Sequence, residues 1–172
     1  MDNSNLTEQQ ALILFFLYKF RFLTIYHFLK LFKHKNHRRI QIWLSDLIKQ
    51  NLISRNYSRK HITVPAAYFL TPRGIKYLRE NREDIFKPSF QRLNRERERS
   101  KPFISHWLFV ATIYLKFLEL AKGDQVQFIT EIEMVKDKEF LPEKPPDAYI
   151  AIEHDGKVVK RYFLKIFDDR LS

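Results

Sequence analysis

The chain has 172 residues, 45% hydrophobic and 15% aromatic with only three glycines, enough for one ordinary domain or two small ones with a real core. A mean hydropathy of −0.40 excludes a polytopic membrane protein. The absence of cysteine excludes a disulfide framework, a thiolate nucleophile and a zinc finger, and points to a reducing compartment. Thirty-one Lys and Arg stand against twenty Asp and Glu, a formal charge of +11, so a polyanionic partner is the default expectation.

The positive excess is not uniform. Residues 1–100 hold twenty basic and eight acidic side chains, whereas residues 101–172 hold eleven and twelve, which divides the chain into two functional halves. The longest apolar run, Ala11 to Tyr18, is eight residues and is closed by Lys19. A membrane span needs roughly 20. No Lys or Arg precedes that run, so the expectation is a core helix, no secretory signal, no membrane partner and a cytoplasmic protein.

In chain order, Thr7 can cap a first helix that runs to about Phe20, with Gln10 at the reciprocal capping position. Thr24 opens a second helix through Ile25, Phe28, Leu29 and Phe32 that ends in Lys33-His34-Lys35. Asn36 caps a third, from His37 to Gln50, in which Ile40, Trp43, Leu44, Leu47 and Ile48 form one apolar face. Its other face begins with His37, Arg38, Arg39, Gln41 and Ile42 and continues with Ser45 and Lys49. A short helix, a turn and a helix with basic and amide side chains at its N-terminal end is an arrangement that puts side chains into a DNA major groove.

Asn51 to Tyr57 then reads as a helix stop entering a strand, with Ala66 to Leu70 as its partner and the basic loop Ser58 to Pro65 between them. Two strands joined by a basic loop after such a helix form a wing that reaches phosphates or a minor groove. Thr71-Pro72-Arg73-Gly74 opens a further helix, with Pro72 in its first turn. The candidate DNA-contacting set is therefore His37, Arg38, Arg39, Gln41, Ser45, Arg55, Arg59, Lys60, His61 and Arg73. The run "LTEQQ…ILFFLYKFRFLTIYHFLKLF…RRIQIWLSDLIKQNLISR…AAYFLTPRGIKYL" resembles the winged helix-turn-helix of bacterial regulators over about residues 6–82.

Residues 83–102 carry two prolines and an alternating Arg/Glu run, and read as a charged linker on which Arg92, Arg95 and Arg99 would share one helical face. Beyond it, Ser105 to Leu120 has helical periodicity, Gly123 stops that helix, and Val126 to Thr130 follows as a strand. Residues 147–167 form an antiparallel hairpin about His154-Asp155-Gly156-Lys157. The expected fold class is α+β: a winged helix-turn-helix over 1–82, the linker, and a small α/β module over 103–172 with its long helix on a hairpin sheet.

The succession of that first module, "ISHWLFVATIYLKFLELA" and "PPDAYIAIEHDGKVVKRYFLKIFDD" is similar to the replication-relaxation family of plasmid and mobile-element proteins, in which an H-x-L-x-V helix precedes a PDA…G…FLE-x-D hairpin. The resemblance implies a double-stranded DNA-binding accessory of plasmid replication, mobilisation or transfer. Its departures are Lys165, where the family has an acid, and an end at Ser172, where the family commonly continues; the expectation is a chain shortened at its C-terminus.

Two other readings compete with this one. Pro146-Asp147 before a strand, with Lys165 in the next, is part of the metal core of restriction-type nucleases. Phe163 occupies the second ligand position there, leaving Glu131, Glu133 or Asp168 as substitutes. The alternative is an adaptor whose winged helix binds an acidic protein. His106 reads as a hydrogen-bonded core or helix-start histidine in preference to a metal ligand, and His34, His37 and His61, beside Lys and Arg, as DNA-facing donors. There is no glycine-rich phosphate loop, so neither a cofactor nor a catalytic residue is expected. The leading expectation is a non-enzymatic protein with duplex DNA as partner, whose second module makes a homodimer or recruits a replication or transfer enzyme.

Overall fold

The computed structural model describes residues 6–56, 65–93 and 95–167. Helix α1 (Glu8–Phe20) starts at the expected capping box, with the Gln10 N–H donating to Thr7 Oγ1 at 3.3 Å and the Thr7 N–H to Gln10 Oε1 at 3.0 Å. It is apolar on most sides because it is the central rod of the fold. It packs on α3 (His37–Lys49), α4 (Pro72–Asn81), α5 (Lys101–Leu120) and strand β2 (Ala67–Leu70), and Ile13, Leu14, Leu17 and Phe20 are fully buried.

Helix α2 (Ile25–Leu31) ends before the expected Lys35. Lys33 adopts a left-handed φ of 51°, and the His34 and Lys33 N–H groups return to Leu29 and Lys30 carbonyls at 2.9 and 3.1 Å. That is a Schellman closure, which satisfies the orphan carbonyls and turns the chain. The same device ends α3, where Asn51 (φ 55°) donates to the Ile48 carbonyl at 2.8 Å and Leu52 to the Leu47 carbonyl at 3.0 Å. Asparagine tolerates this conformation better than most residues, so Asn51-Leu52-Ile53 leads directly from helix into strand β1 (Ile53–Asn56).

Strand β1 pairs antiparallel with β2, Ile53 opposite Leu70 and Asn56 opposite Ala67. Leu23 exchanges backbone hydrogen bonds with Tyr68 at 2.8 and 3.2 Å and covers the other edge of β2. Residues 57–64, which hold most of the expected basic loop with Arg59, Lys60 and His61, lie outside the described residues. Thr71 then caps α4, accepting the Gly74 N–H at 3.1 Å, with Pro72 at the first helical position where no N–H is needed.

The segment expected to be a charged linker is packed into the fold. Residues Lys87–Leu93 and Glu96–Glu98 form two short 3₁₀ helices, and Ser89, Phe90, Leu93 and Glu96 are buried. The expected single face of Arg92, Arg95 and Arg99 is absent because Arg95, at φ 62°, breaks the chain between the two. Arg92 pairs with Glu131, while Arg99 approaches Glu96 at 3.7 Å. Arg21, from the end of α1, donates to Glu96 from Nε at 3.3 Å and again from Nη2, and to the Arg92 carbonyl at 3.0 Å. Both partners of the Arg21–Glu96 pair are buried.

Helix α5 packs against α1, α2 and β3 (Gln125–Thr130), burying Ile104, Trp107, Val110, Ala111 and Leu115. Among the described residues it is the one helix long and apolar enough to cross a membrane, and a third of that apolar stretch is buried in the fold. Strands β3, β4 (Ala148–His154) and β5 (Lys157–Leu164) form one antiparallel sheet in that order. Asp155 (φ 48°) and Gly156 (φ 73°) turn the β4–β5 hairpin, and consecutive positive φ angles match the twist of its strands. The two sequence halves share one core: Phe20 lies 5.1 Å from Tyr114 and 6.0 Å from Phe128, and Lys19 pairs with Glu133 at 2.9 Å.

Candidate nucleic-acid interface

Helix α3 has two faces of opposite chemistry. Ile40, Leu44 and Leu47 are buried, and Trp43 packs on Phe32 at 5.6 Å, so the helix cannot rotate about its axis without opening the core. That fixes the outward side. His37, Arg38, Arg39, Gln41, Ile42, Ser45 and Lys49 are all exposed. Asn36 Oδ1 accepts the Arg38 N–H at 2.8 Å and squares off the helix start, so the first turn presents a firm backbone to whatever approaches it.

The side chains of Arg38, Arg39 and Gln41 have no partner among the described residues. Unpaired guanidinium groups at one exposed helix end repel one another and attract anions whose oxygens match their fork, phosphate among them. Tyr26 on α2 stands edge-on to His37, ring centroids 5.7 Å apart, and is 55% exposed; Ile42 is 49% exposed in the middle of the outward face. Sequence periodicity put Ile42 on this face, but nothing in it singled out Tyr26, whose exposure depends on how α2 docks on α3.

The other expected contacts divide. Arg55 is exposed on β1, opposite Tyr68. Arg73, on the first turn of α4, belongs to a different surface from Arg38 and Arg39. It lines a cleft of about 550 Å³ with Asn51, just beyond the C-terminal end of α3. At 1.5 Å per residue, that end is about 18 Å along the axis from His37.

The nuclease-like residues make a second cluster. His106 Nε2 on α5 lies 3.3 Å from Asp147 Oδ1, Lys165 Nζ lies 3.5 Å from the same oxygen, and the Ile166 N–H donates to Asp147 Oδ2 at 2.6 Å. Both oxygens of this buried carboxylate are thus engaged, and it ties α5 to the start of β4 and the chain after β5. The carboxylates that could have completed a metal site are engaged elsewhere, Glu131 with Arg92 and Glu133 with Lys19 and Thr130; Asp168 lies outside the described residues. Among the described residues no three His, Asp or Glu side chains group closely enough to hold a metal ion.

Burial alone would raise the Asp147 carboxyl, but the hydrogen bonds from His106 and the Ile166 backbone, with the charges of His106 and Lys165, hold it below its ordinary value of 3.8. A depressed carboxyl contributes stability that is present above 3.8 and is lost as pH falls through the lower folded-state value. Asp147→Asn is therefore expected to cost about 1–3 kcal/mol at pH 7. The gap in urea midpoint between variant and parent should close on acidification. A gap that stays constant from pH 7 down to acid would show that the ionised carboxylate is not what holds the clasp.

No curated protein and no solved structure matches the chain. The family model described as replication-relaxation matches residues 14–166, which takes in α3, the cleft and the Asp147 clasp, and the chain belongs to that family.

Proposed function

We propose that the chain is a double-stranded DNA-binding accessory or regulatory protein of plasmid or mobile-element replication, mobilisation or transfer, and that it acts in the cytoplasm without chemistry of its own. Membership of the replication-relaxation family supports the replication role. The observation that carries DNA binding is the exposed N-terminal end of α3, where Arg38, Arg39 and Gln41 lack partners while the opposite face is locked in the core. In this reading residues 1–82 act as a winged helix-turn-helix. The α3 end enters the major groove, its arginines engage phosphates or base edges, and the hairpin loop with Arg59, Lys60 and His61 reaches the neighbouring backbone. The second module pairs two copies of the chain or recruits a replication or transfer enzyme.

The test is fluorescence anisotropy of the chain on random-sequence duplex DNA across a salt series. Wild type is expected to bind with log affinity falling linearly in log salt. Arg38→Ala with Arg39→Ala should weaken binding about tenfold or more at low salt and reduce the slope by about 2, one for each phosphate contact removed. Unchanged affinity and slope would remove α3 from the interface. Absence of any binding at moderate salt would favour the acidic-protein adaptor.

A further inference from the structure

The structure sorts the charges of the Arg/Glu run of residues 92–99 in an uneven way. Arg92 pairs with Glu131, and Arg99 approaches Glu96 at 3.7 Å and stacks over the Phe103 ring at 4.8 Å. Arg95 and Arg97 have no partner among the described residues, and neither has Arg73. These three arginines line the same cleft, a space of about 550 Å³ between the β1–β2/α4 corner and the 3₁₀ segment, with Ser54 and Thr71 as polar neighbours and Phe69 and Leu70 as apolar wall.

The one carboxylate on the cleft wall does not neutralise them. Glu96 is buried and already holds Arg21 through two hydrogen bonds. The cleft therefore carries three uncompensated positive charges beside an apolar wall, an arrangement in which self-repulsion is unfavourable and the field on an entering anion is concentrated. The left-handed backbone at Arg95 is what bends the chain so that residues 95 and 97 both reach the cleft; an uninterrupted helix would have sent them to different sides. Guanidinium forks pair with phosphate oxygens two at a time, and three of them around one concavity match a group with several phosphate oxygens better than they match a lone carboxylate.

We infer that this cleft binds phosphate, through Arg73, Arg95 and Arg97, as a second anion site separate from the α3 surface. Phosphate of this kind comes from a free polyphosphate or nucleotide, or from the backbone of a nucleic acid that runs on past α3. The inference stands without the α3 reading, since none of its three arginines lies on that helix.

The experiment uses the full chain, inorganic tripolyphosphate followed by calorimetry, and a random 20-base-pair duplex followed by anisotropy. Three proteins are compared: wild type, the triple variant Arg73→Gln, Arg95→Gln, Arg97→Gln, and the triple variant with Lys at the same positions. All three side chains are exposed, so equal thermal melts are expected and serve as the folding control. Tripolyphosphate should bind wild type, at least tenfold more weakly to the Gln variant, and with intermediate affinity to the Lys variant, which keeps charge and loses the fork. If the natural source is nucleic acid, the Gln variant also loses up to about 3 from the salt slope on duplex DNA. If it is a free phosphate compound, the duplex titration is unchanged while tripolyphosphate binding falls. Should neither titration distinguish the Gln variant from wild type, the cleft is not a phosphate site, whatever Arg38 and Arg39 do.

Discussion

Glu96→Ala is expected to destabilise the protein by about 3–5 kcal/mol, because it leaves the buried Arg21 guanidinium without its counter-charge. Burial pushes the Glu96 carboxyl up and the Arg21 guanidinium down, each against the pull of the other, so both pay a desolvation cost that only their mutual contact offsets. Arg21 is further enclosed by rings, 4.5 Å from the Phe103 centroid and 5.3 Å from that of Trp107. Water has little room to replace the missing carboxylate. The double variant Arg21→Met with Glu96→Met removes both charges and keeps the bulk, and it is expected to recover most of the loss, since a buried pair contributes far less net stability than its broken halves cost. Urea midpoints of the two variants decide the matter. A Glu96→Ala midpoint within experimental error of wild type would mean that the 3₁₀ segment is not tied to α1 through this pair. Unfolding of that segment should also open the cleft beside it, so tripolyphosphate affinity and the urea midpoint are expected to fall together in Glu96→Ala.

How much of this was legible in the sequence follows from the range of the interactions involved. Caps, helix faces and tight turns depend on residues within about four positions of one another, and these were readable: Thr7, Asn36 and Thr71 at helix starts, the two faces of His37 to Lys49, and the Asp155-Gly156 turn all stand where the pattern put them. Residues 83–102 read as a linker for the opposite reason. An alternating Arg/Glu run looks solvated as long as its partners are sought nearby, but Glu96 is paired with Arg21, 75 positions earlier, and Arg92 with Glu131, 39 positions later. Glu96 consequently sits in the core, where its residue type is rarely found without a pair.

The candidate site divides along the same line. Arg38, Arg39 and Gln41 could be placed on one face by helical period alone. The grouping of Arg73 with Arg95 and Arg97 could not, because it depends on how the α4 corner meets a segment with no periodicity. His106 and Asp147 are 41 positions apart and on different elements, and nothing in the sequence joins them; their contact at 3.3 Å is a product of the fold.

Gly74→Ala is expected to be the more damaging of two small changes in α4, although helix propensity alone favours alanine by about 1 kcal/mol. A Cβ on Gly74 would lie 2.0 Å from the Leu52 carbonyl oxygen and 3.0 Å from its carbon. That carbonyl is not free to retreat. It accepts the Thr71 N–H and the Thr71 hydroxyl, each at 3.1 Å, and the Leu52 N–H is itself fixed to the Leu47 carbonyl by the closure of α3. The close approach of α4 to the α3–β1 junction is thus possible only with hydrogen at this position, which is the physical content of the Leu70-Thr71-Pro72-Arg73-Gly74 sequence. Relief requires moving α4 as a whole away from Leu52, opening the contacts of Ile75 and Leu78 with the core. The expected cost is about 3 kcal/mol or more, a fall in melting temperature of roughly 6–12 °C for a chain of this size. Lys76→Ala, two residues further on at an exposed site, is expected to change the melt by no more than about 2 °C. A Gly74→Ala protein that melts with wild type would show that α4 does not need to pack this closely on the end of α3, and would take with it the fixed geometry between the α3 surface and the arginine cleft.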